Sequence, residues 1–267
     1  MSIEFTDIDW RGRRVRLEYA WVGAPAAESV MVFLHEGLGS LSMWKDFPAQ
    51  LCQALGCQGL VYSRPGYGAS SPRPAGDAWA PDFMHRQAHE VLPALLEALG
   101  VDTQRQRLWL FGHSDGGSIS LLYAARFAAS VAGLVVLAPH ILVEEISLRS
   151  IAQARDVYLK TDLRQRLPRY HDDPDSAFWG WNDIWLHPSF RNWSIEAELM
   201  SIQAPVLAVQ GLDDEYGTLA QIRGIASKVA QCELLELASC GHSPHKDQPQ
   251  ALIRAVQQFF NANAHST

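Results

Sequence analysis

Short, mostly apolar runs alternate along this chain with longer stretches of helical spacing. The runs are Val30–His35, Leu60–Ser63, Leu108–Phe111, Gly133–Ala138, Pro205–Gln210 and Glu233–Leu237. A strand with one face in water alternates polar and apolar residues, so a continuous apolar run belongs to a strand buried on both faces. Between the runs, Ser42–Leu55, Asp82–Leu99, Gly116–Ala128 and Leu219–Val229 carry helical spacing, as does Pro249–Asn261 after the last of them. Gly56 and Gly100 stop two of these helices. Asp82 is placed to cap its helix, and Pro93 should kink it. Ile3–Asp9 and Arg14–Val22 flank Trp10-Arg11-Gly12-Arg13 and read as an N-terminal hairpin. The alternation predicts an α/β domain with a mostly parallel central sheet and helices on both faces.

The pattern breaks once, from Ile141 to Ala204, where helical spacing continues without a good strand. This stretch holds Trp179, Trp181, Trp185 and Trp193, out of 9 tryptophans in the chain. We expect residues 141–204 to form a helical insertion over the carboxyl edge of the sheet, with 1–140 and 205–267 making the core domain. The aromatic residues either form the insertion's own core or line a pocket beneath it, and an aromatic ring can do both.

A length of 267 residues suits one α/β unit of this kind. Hydrophobic residues make up 48% and charged residues 19%, which excludes a disordered or low-complexity chain. The net charge of −7 argues against a nucleic-acid partner, because phosphate backbones bind basic surfaces. Apolar runs such as Val30–Leu34 and Leu134–Ala138 are far too short to cross a bilayer, and no secretory pattern opens the chain. Cys52, Cys57, Cys232 and Cys240 form no C-x-x-C pair, so free thiols in a reducing compartment are expected. The chain reads as soluble and cytoplasmic, with no membrane partner. Nothing in the sequence sets an oligomeric state.

The chemistry concentrates in Gly112-His113-Ser114-Asp115-Gly116, a G-x-S-x-G pattern. Such a pattern is common by chance, but here an apolar strand ends at Gly112 and a helical stretch begins after Ser114. The glycines let the backbone reverse within a few residues, lifting the serine hydroxyl above the sheet over a helix N-terminus. A serine hydroxyl becomes a useful nucleophile only when a base removes its proton, and the base needs an orienting carboxylate. The second half of the chain supplies both. Asp213 and Asp214 follow the strand ending at Gly211, and His242 and His245 follow the strand ending at Leu237. Ligands bind outside the carboxyl ends of strands in open parallel sheets, so all these candidates stand where a site should form. His85 and His89 lie four apart, without a third ligand or an acidic base between them, and read as surface histidines. His35 reads as a brace for its loop and Cys240 as a loop thiol. No phosphate-binding or dinucleotide fingerprint is present, so no cofactor and no metal are expected.

Taken together, these motifs resemble the α/β-hydrolase-fold serine hydrolases over nearly the whole chain. The resemblance implies an α/β-hydrolase fold with a helical cap inserted after the sixth strand, where residues 141–204 lie. It selects Asp214 over Asp213, since the acid usually stands three residues after the glycine that ends its strand. It selects His242 over His245 from the position of the base before the last helix. It also implies an oxyanion hole of two backbone donors, Asp115 N–H and, from His35-Glu36-Gly37-Leu38-Gly39, Gly37 N–H. Glu36 stands where the family usually has glycine, and Ser63 opens a loop that relatives tend to open with aspartate; that second loop reads as structural. The Asn182-Asp-Ile-Trp-Leu segment and the Asp115-Gly-Gly after the nucleophile are most similar to valacyclovirase-type (biphenyl hydrolase-like) esterases.

The resemblance implies a hydrolase that cleaves a small-molecule carboxylic ester through an acyl-enzyme. Thioester hydrolysis, carbon–carbon hydrolysis and cofactor-free perhydrolysis use the same three side chains. Dehalogenase and epoxide hydrolase relatives place aspartate where Ser114 stands, and a non-catalytic receptor on this fold would not need the full set. Trp179, Trp181 and Trp185 are expected to contact an apolar or aromatic substrate group. Glu36 and Asp115, with Glu215 near the acid, suggest an acidic pocket mouth suited to an amine-bearing ester. The competing expectation is that Asp115 merely favours its helix N-terminus and Glu36 points to solvent.

Overall fold

The computed structural model describes residues 2–74 and 76–263. The elements, in chain order, begin with strands β1 (Glu4–Trp10), β2 (Arg13–Gly23) and β3 (Ser29–Leu34), helix α1 (Phe47–Leu55) and β4 (Gln58–Tyr62). Helices α2 (Phe83–Arg86) and α3 (Leu92–Ala98) precede β5 (Arg107–His113), α4 (Asp115–Arg126) and β6 (Val131–Leu137). Helices α5 (Glu145–Lys160), α6 (Leu163–Arg166) and α7 (Pro174–Leu186) then lead to β7 (Val206–Gly211), α8 (Ala220–Ala226), β8 (Cys232–Leu237), α9 (Pro244–Asp247) and α10 (Pro249–Asn263).

The strands form one sheet in the order β1-β2-β4-β3-β5-β6-β7-β8. β1 and β2 pair antiparallel, β2 pairs antiparallel with β4, and every other neighbour is parallel. Period-two alternation sorts the inner strands to two cores. Val32, Leu110, Val136 and Ala208 face one core with α4 and α8, whereas Phe33, Phe111, Val135 and Val209 face the other with α1 and α10. Apolar side chains such as these contribute roughly 1.5–3 kcal/mol each when fully buried, which is why both faces must be covered. The chain leaves the sheet after β6 for the helical insertion, touching strand geometry only at the Leu142–Ser194 bridge, and returns at β7.

Two local expectations change. The single helix expected over Asp82–Leu99 is split by a wider π turn over Gln87–Val91, just before the Leu92-Pro93 step. Pro93 brings no N–H to the ladder, and the wider turn absorbs the lost bond. Asp82 does not cap this helix with its side chain; its carboxylate accepts from Arg86 Nε at 2.9 Å. Likewise α1 begins at Phe47 rather than Ser42, with Pro48 in its first turn, where a missing N–H costs nothing.

Candidate active site

Strand β5 ends at His113 and α4 begins at Asp115, leaving Ser114 in the turn at φ 52° and ψ −119°. Positive φ is uncommon for a residue with a side chain, so its surroundings must hold it. Ser114 N–H donates to Leu137 O at 2.9 Å, and Ser114 O accepts from Gly117 N–H at 2.8 Å. Glycine is required on both sides by close approach. A Cβ at Gly112 would lie under 3.0 Å from the Gly116 carbonyl, and one at Gly116 equally close to the Leu34 carbonyl. The serine turn therefore packs straight against the end of β3, whose following loop carries Glu36 and Gly37.

Asp214 lies beyond β7 and His242 beyond β8. His242 Nδ1–H donates to Asp214 Oδ1 at 2.8 Å. The same carboxylate accepts from Tyr216 N–H at 2.8 Å and from Gln210 Nε2 at 3.0 Å. Burial alone would raise the Asp214 pKa, but the hydrogen bond from His242 and that ring's charge outweigh it and hold the carboxyl below its ordinary value. A proton on Nδ1 leaves Nε2 as the basic nitrogen of the neutral ring. Ser114, Asp115 and His242 line one cavity of about 260 Å³ together with Glu36 and Gly37. The rest of its wall is mostly apolar and includes Leu38, Ile151, Leu167, Phe178, Trp181 and Trp185. An arrangement of this kind can pass a proton from a serine hydroxyl to an imidazole while a carboxylate holds the ring.

The alternatives separate cleanly. Asp213 is exposed, and its backbone N–H donates to Cys240 O at 3.0 Å. His245 is buried with its ring centroid 4.8 Å from those of both Trp44 and His113, and burial pushes its pKa well down. Cys240 is a buried thiol whose pKa burial pushes up to about 11, unsuited to nucleophilic attack. His85 and His89 contact Glu198 and Leu122 O, and no metal-ligating group of three occurs among the described residues. His35 braces its loop, donating to Glu36 O at 2.8 Å and accepting from Arg64 N–H at 3.0 Å.

Three expectations about the pocket need correction. Trp179 is not among the cavity's lining residues. It stands edge-on to Tyr158 at 5.5 Å with Arg155 over its ring at 5.2 Å, because successive helical residues on α7 point in different directions. Glu36 neither points to solvent nor stands as a free charge at the mouth. Its carboxylate lies 3.4 Å from both His113 Nδ1 and Lys246 Nζ. Burial would raise its pKa, but His113 and Lys246 hold it well below the usual carboxylate range. Asp115 sits in the first turn of α4, yet makes no cap there. Its Oδ1 accepts from Trp185 Nε1 at 3.1 Å, and Oδ2 lies 3.9 Å from Arg64 without a hydrogen bond. Burial pushes the Asp115 pKa up to about 6, opposed by Arg64 and by the Trp185 bond.

His140 and Tyr216 also line the cavity, although no motif marked them. The His140 ring lies 5.9 Å from that of His242, with its pKa lowered to about 3 by burial and by His242's charge. His140 stands three residues beyond the end of β6, so the strand-end rule that located Asp214 would have located it too.

The model of a family described as "Alpha/beta hydrolase family" matches residues 31–255. The chain belongs to the alpha/beta hydrolase family. Its sheet order and strand directions are those of an α/β-hydrolase fold, mostly parallel, with helices on both faces. Among curated relatives, 2-succinyl-6-hydroxy-2,4-cyclohexadiene-1-carboxylate synthase of Salmonella enteritidis is 24% identical, covering 89% of this chain and 96% of its own. A thermophilic esterase from Thermogutta terrifontis superposes with a TM-score of 0.71 at 17% identity, covering 97% of this chain and 98% of its own. Naproxen esterase from Bacillus subtilis superposes with a TM-score of 0.72 at 17% identity, covering 97% and 92%. At these identities the structural likeness establishes the fold. No helix among the described residues is long and apolar enough to cross a membrane.

Proposed function

We propose that this alpha/beta hydrolase cleaves a small-molecule carboxylic ester through an acyl-enzyme. Ser114 attacks the carbonyl, His242 takes and returns the proton, and Asp214 orients His242. The amides of Gly37 and Asp115 hold the oxyanion. The observation that carries this reading is the 2.8 Å bond from His242 Nδ1–H to Asp214, with His242 and Ser114 on one cavity. The helical insertion acts as the cap, and Trp181 and Trp185 supply an apolar wall that favours an aryl or alkyl group on the ester. The esterase neighbours agree with the reading.

A second reading, an amine-bearing ester of the valacyclovirase type, is favoured by one feature. Asp115 Oδ2 is buried at the cavity without a hydrogen-bond partner, where a substrate ammonium could pair with it. Against it, Arg64 and Lys246 already offset the two carboxylates nearest the pocket.

A fluorophosphonate probe should label the wild-type chain and leave Ser114→Ala unlabelled; retained labelling would reassign the nucleophile. A panel of aryl, alkyl, amino-acid and coenzyme A esters then ranks the substrates. An amino-acid ester and its des-amino analogue, compared in wild type and Asp115→Asn, separate the two readings. A chain that labels but leaves every oxygen ester intact is a thioesterase, a carbon–carbon hydrolase, a perhydrolase, or a catalyst closer to the synthase relatives.

A further inference from the structure

His113, the residue before Ser114, is completely enclosed, and the catalytic scheme above gives it no task. From the strand that leads to Ser114, its ring touches the loop bearing Glu36 and the loop bearing His242. Nε2 lies 2.7 Å from the backbone oxygen of His242. A carbonyl oxygen can only accept, so Nε2 carries a proton and donates it there. On the opposite edge, the unprotonated Nδ1 lies 3.4 Å from Glu36 Oε2 without a hydrogen bond, in the loop that also presents Gly37. Glu36 is itself fixed from the far side by Lys246 of α9, at 3.4 Å. Gly39 leaves the room this carboxylate needs, since a Cβ there would lie under 3.0 Å from Glu36 Oε2. The rings of His242 and His245 close the pocket around His113 at 5.1 Å and 4.8 Å.

The loop bearing His242 is tied elsewhere too: Cys240 O accepts from Asp213 N–H at 3.0 Å, and Gly241 N–H donates to Asp247 Oδ2 at 2.9 Å. His242 N–H donates to Glu215 Oε2 at 3.2 Å, and the His242 ring is held by Asp214. Both partners belong to the loop after β7. Of these ties, only the His113 bond runs directly to the strand that carries Ser114.

We propose that His113 is a positioning residue: its Nε2–H ties the main chain of His242 to the serine turn. The proposal rests on the esterase reading and deepens it. The distance between serine and imidazole is then set by one short buried bond adjacent to the nucleophile.

The test compares three variants. His113→Phe keeps the ring volume and removes both nitrogens. His113→Gln places an amide donor near the Nε2 position, and His113→Asn places one only near Nδ1, facing Glu36. We expect His113→Phe and His113→Asn to lower kcat about tenfold or more with KM within about twofold, as befits a lost buried hydrogen bond that positions a reacting group. His113→Gln should recover most of kcat. A low-field proton resonance from His242 Nδ1–H should persist in wild type and His113→Gln and broaden in the other two. A purely packing role would make His113→Phe the mildest change and leave the resonance alone. That result, or a His113→Gln variant as impaired as His113→Phe, overturns the proposal. Absence of labelling and ester turnover in the wild type would instead overturn the esterase reading, and the resonance would still report on the tie.

Discussion

Gly37→Ala is the smallest change that tests the contact between the loop after β3, proposed above to supply an oxyanion donor, and the insertion. Gly37 lies outside the left-handed region, so alanine meets no left-handed strain there. The obstacle is Trp181, whose Nε1 and Cδ1 would lie under 3.0 Å from the new Cβ, whereas ordinary contact begins at 3.4 Å. Either the Trp181 ring or the Gly37 backbone must therefore move by roughly 1 Å, and a displacement of that size at a reacting centre costs on the order of a hundredfold. The added methyl gains at most about 0.8 kcal/mol of burial, while overpacking a fitted site costs about 1–3 kcal/mol, so stability should fall modestly. We expect kcat/KM on aryl esters to drop between about tenfold and a hundredfold, carried mainly by kcat if the Gly37 amide shifts. Thermal unfolding should come a few degrees earlier at most. Gly37→Ala combined with Trp181→Leu removes the clash and should recover much of the loss, giving strong non-additivity. Wild-type kinetics in Gly37→Ala, or strict additivity with Trp181→Leu, would refute the argument.

Asp214→Asn should lower kcat by about four orders of magnitude, because the amide cannot hold the imidazole in the required tautomer, whereas Asp213→Asn on the exposed neighbour should stay near wild type; steady-state kinetics decide. Trp181→Ala and Trp185→Ala should change the ratio of rates on bulky and short esters, and Trp179→Ala should not, since Trp179 lies off the cavity. His171 accepts Gly68 N–H at Nδ1 at 3.0 Å, and burial lowers its pKa to about 4. The unfolded chain therefore takes up this proton near pH 6.5 while the folded one resists until about pH 4. Its contribution to stability is present above pH 6.5 and lost on acidification towards pH 4, on the order of 2–3 kcal/mol. Unfolding temperatures measured across that range should fall less steeply in His171→Asn, which keeps an acceptor but does not titrate.

Sequence periodicity carried the sheet. A buried parallel strand must be apolar on both faces, so Val30–Leu34 and Leu134–Leu137 announced themselves, and Gly112 and Gly116 marked the turn between β5 and α4. Those features are local, since a strand's burial and a turn's sterics are written in adjacent residues. That a carboxylate beyond β7 and a histidine beyond β8 would meet was legible because each follows its own strand end at one edge of the sheet; the choice of Asp214 over Asp213 and of His242 over His245 came from the family resemblance. Where the wider turn falls in the α2–α3 segment was not, because Pro93 states that a hydrogen bond is lost but not how the helix absorbs it. Side-chain direction was equally hidden. Trp179 and Trp181 are two residues apart on one helix, yet only Trp181 reaches the cavity. Glu36 and Asp115 looked like free charges in sequence, but their counter-charges, Lys246 and Arg64, lie far away along the chain. Charge compensation and the 2.7 Å bond from His113 to the His242 carbonyl depend on which distant residues share a few ångströms of space. The sequence determined where strands end and which chemistry collects there; only the packed chain decided which charges neutralise each other and which rings face the cavity.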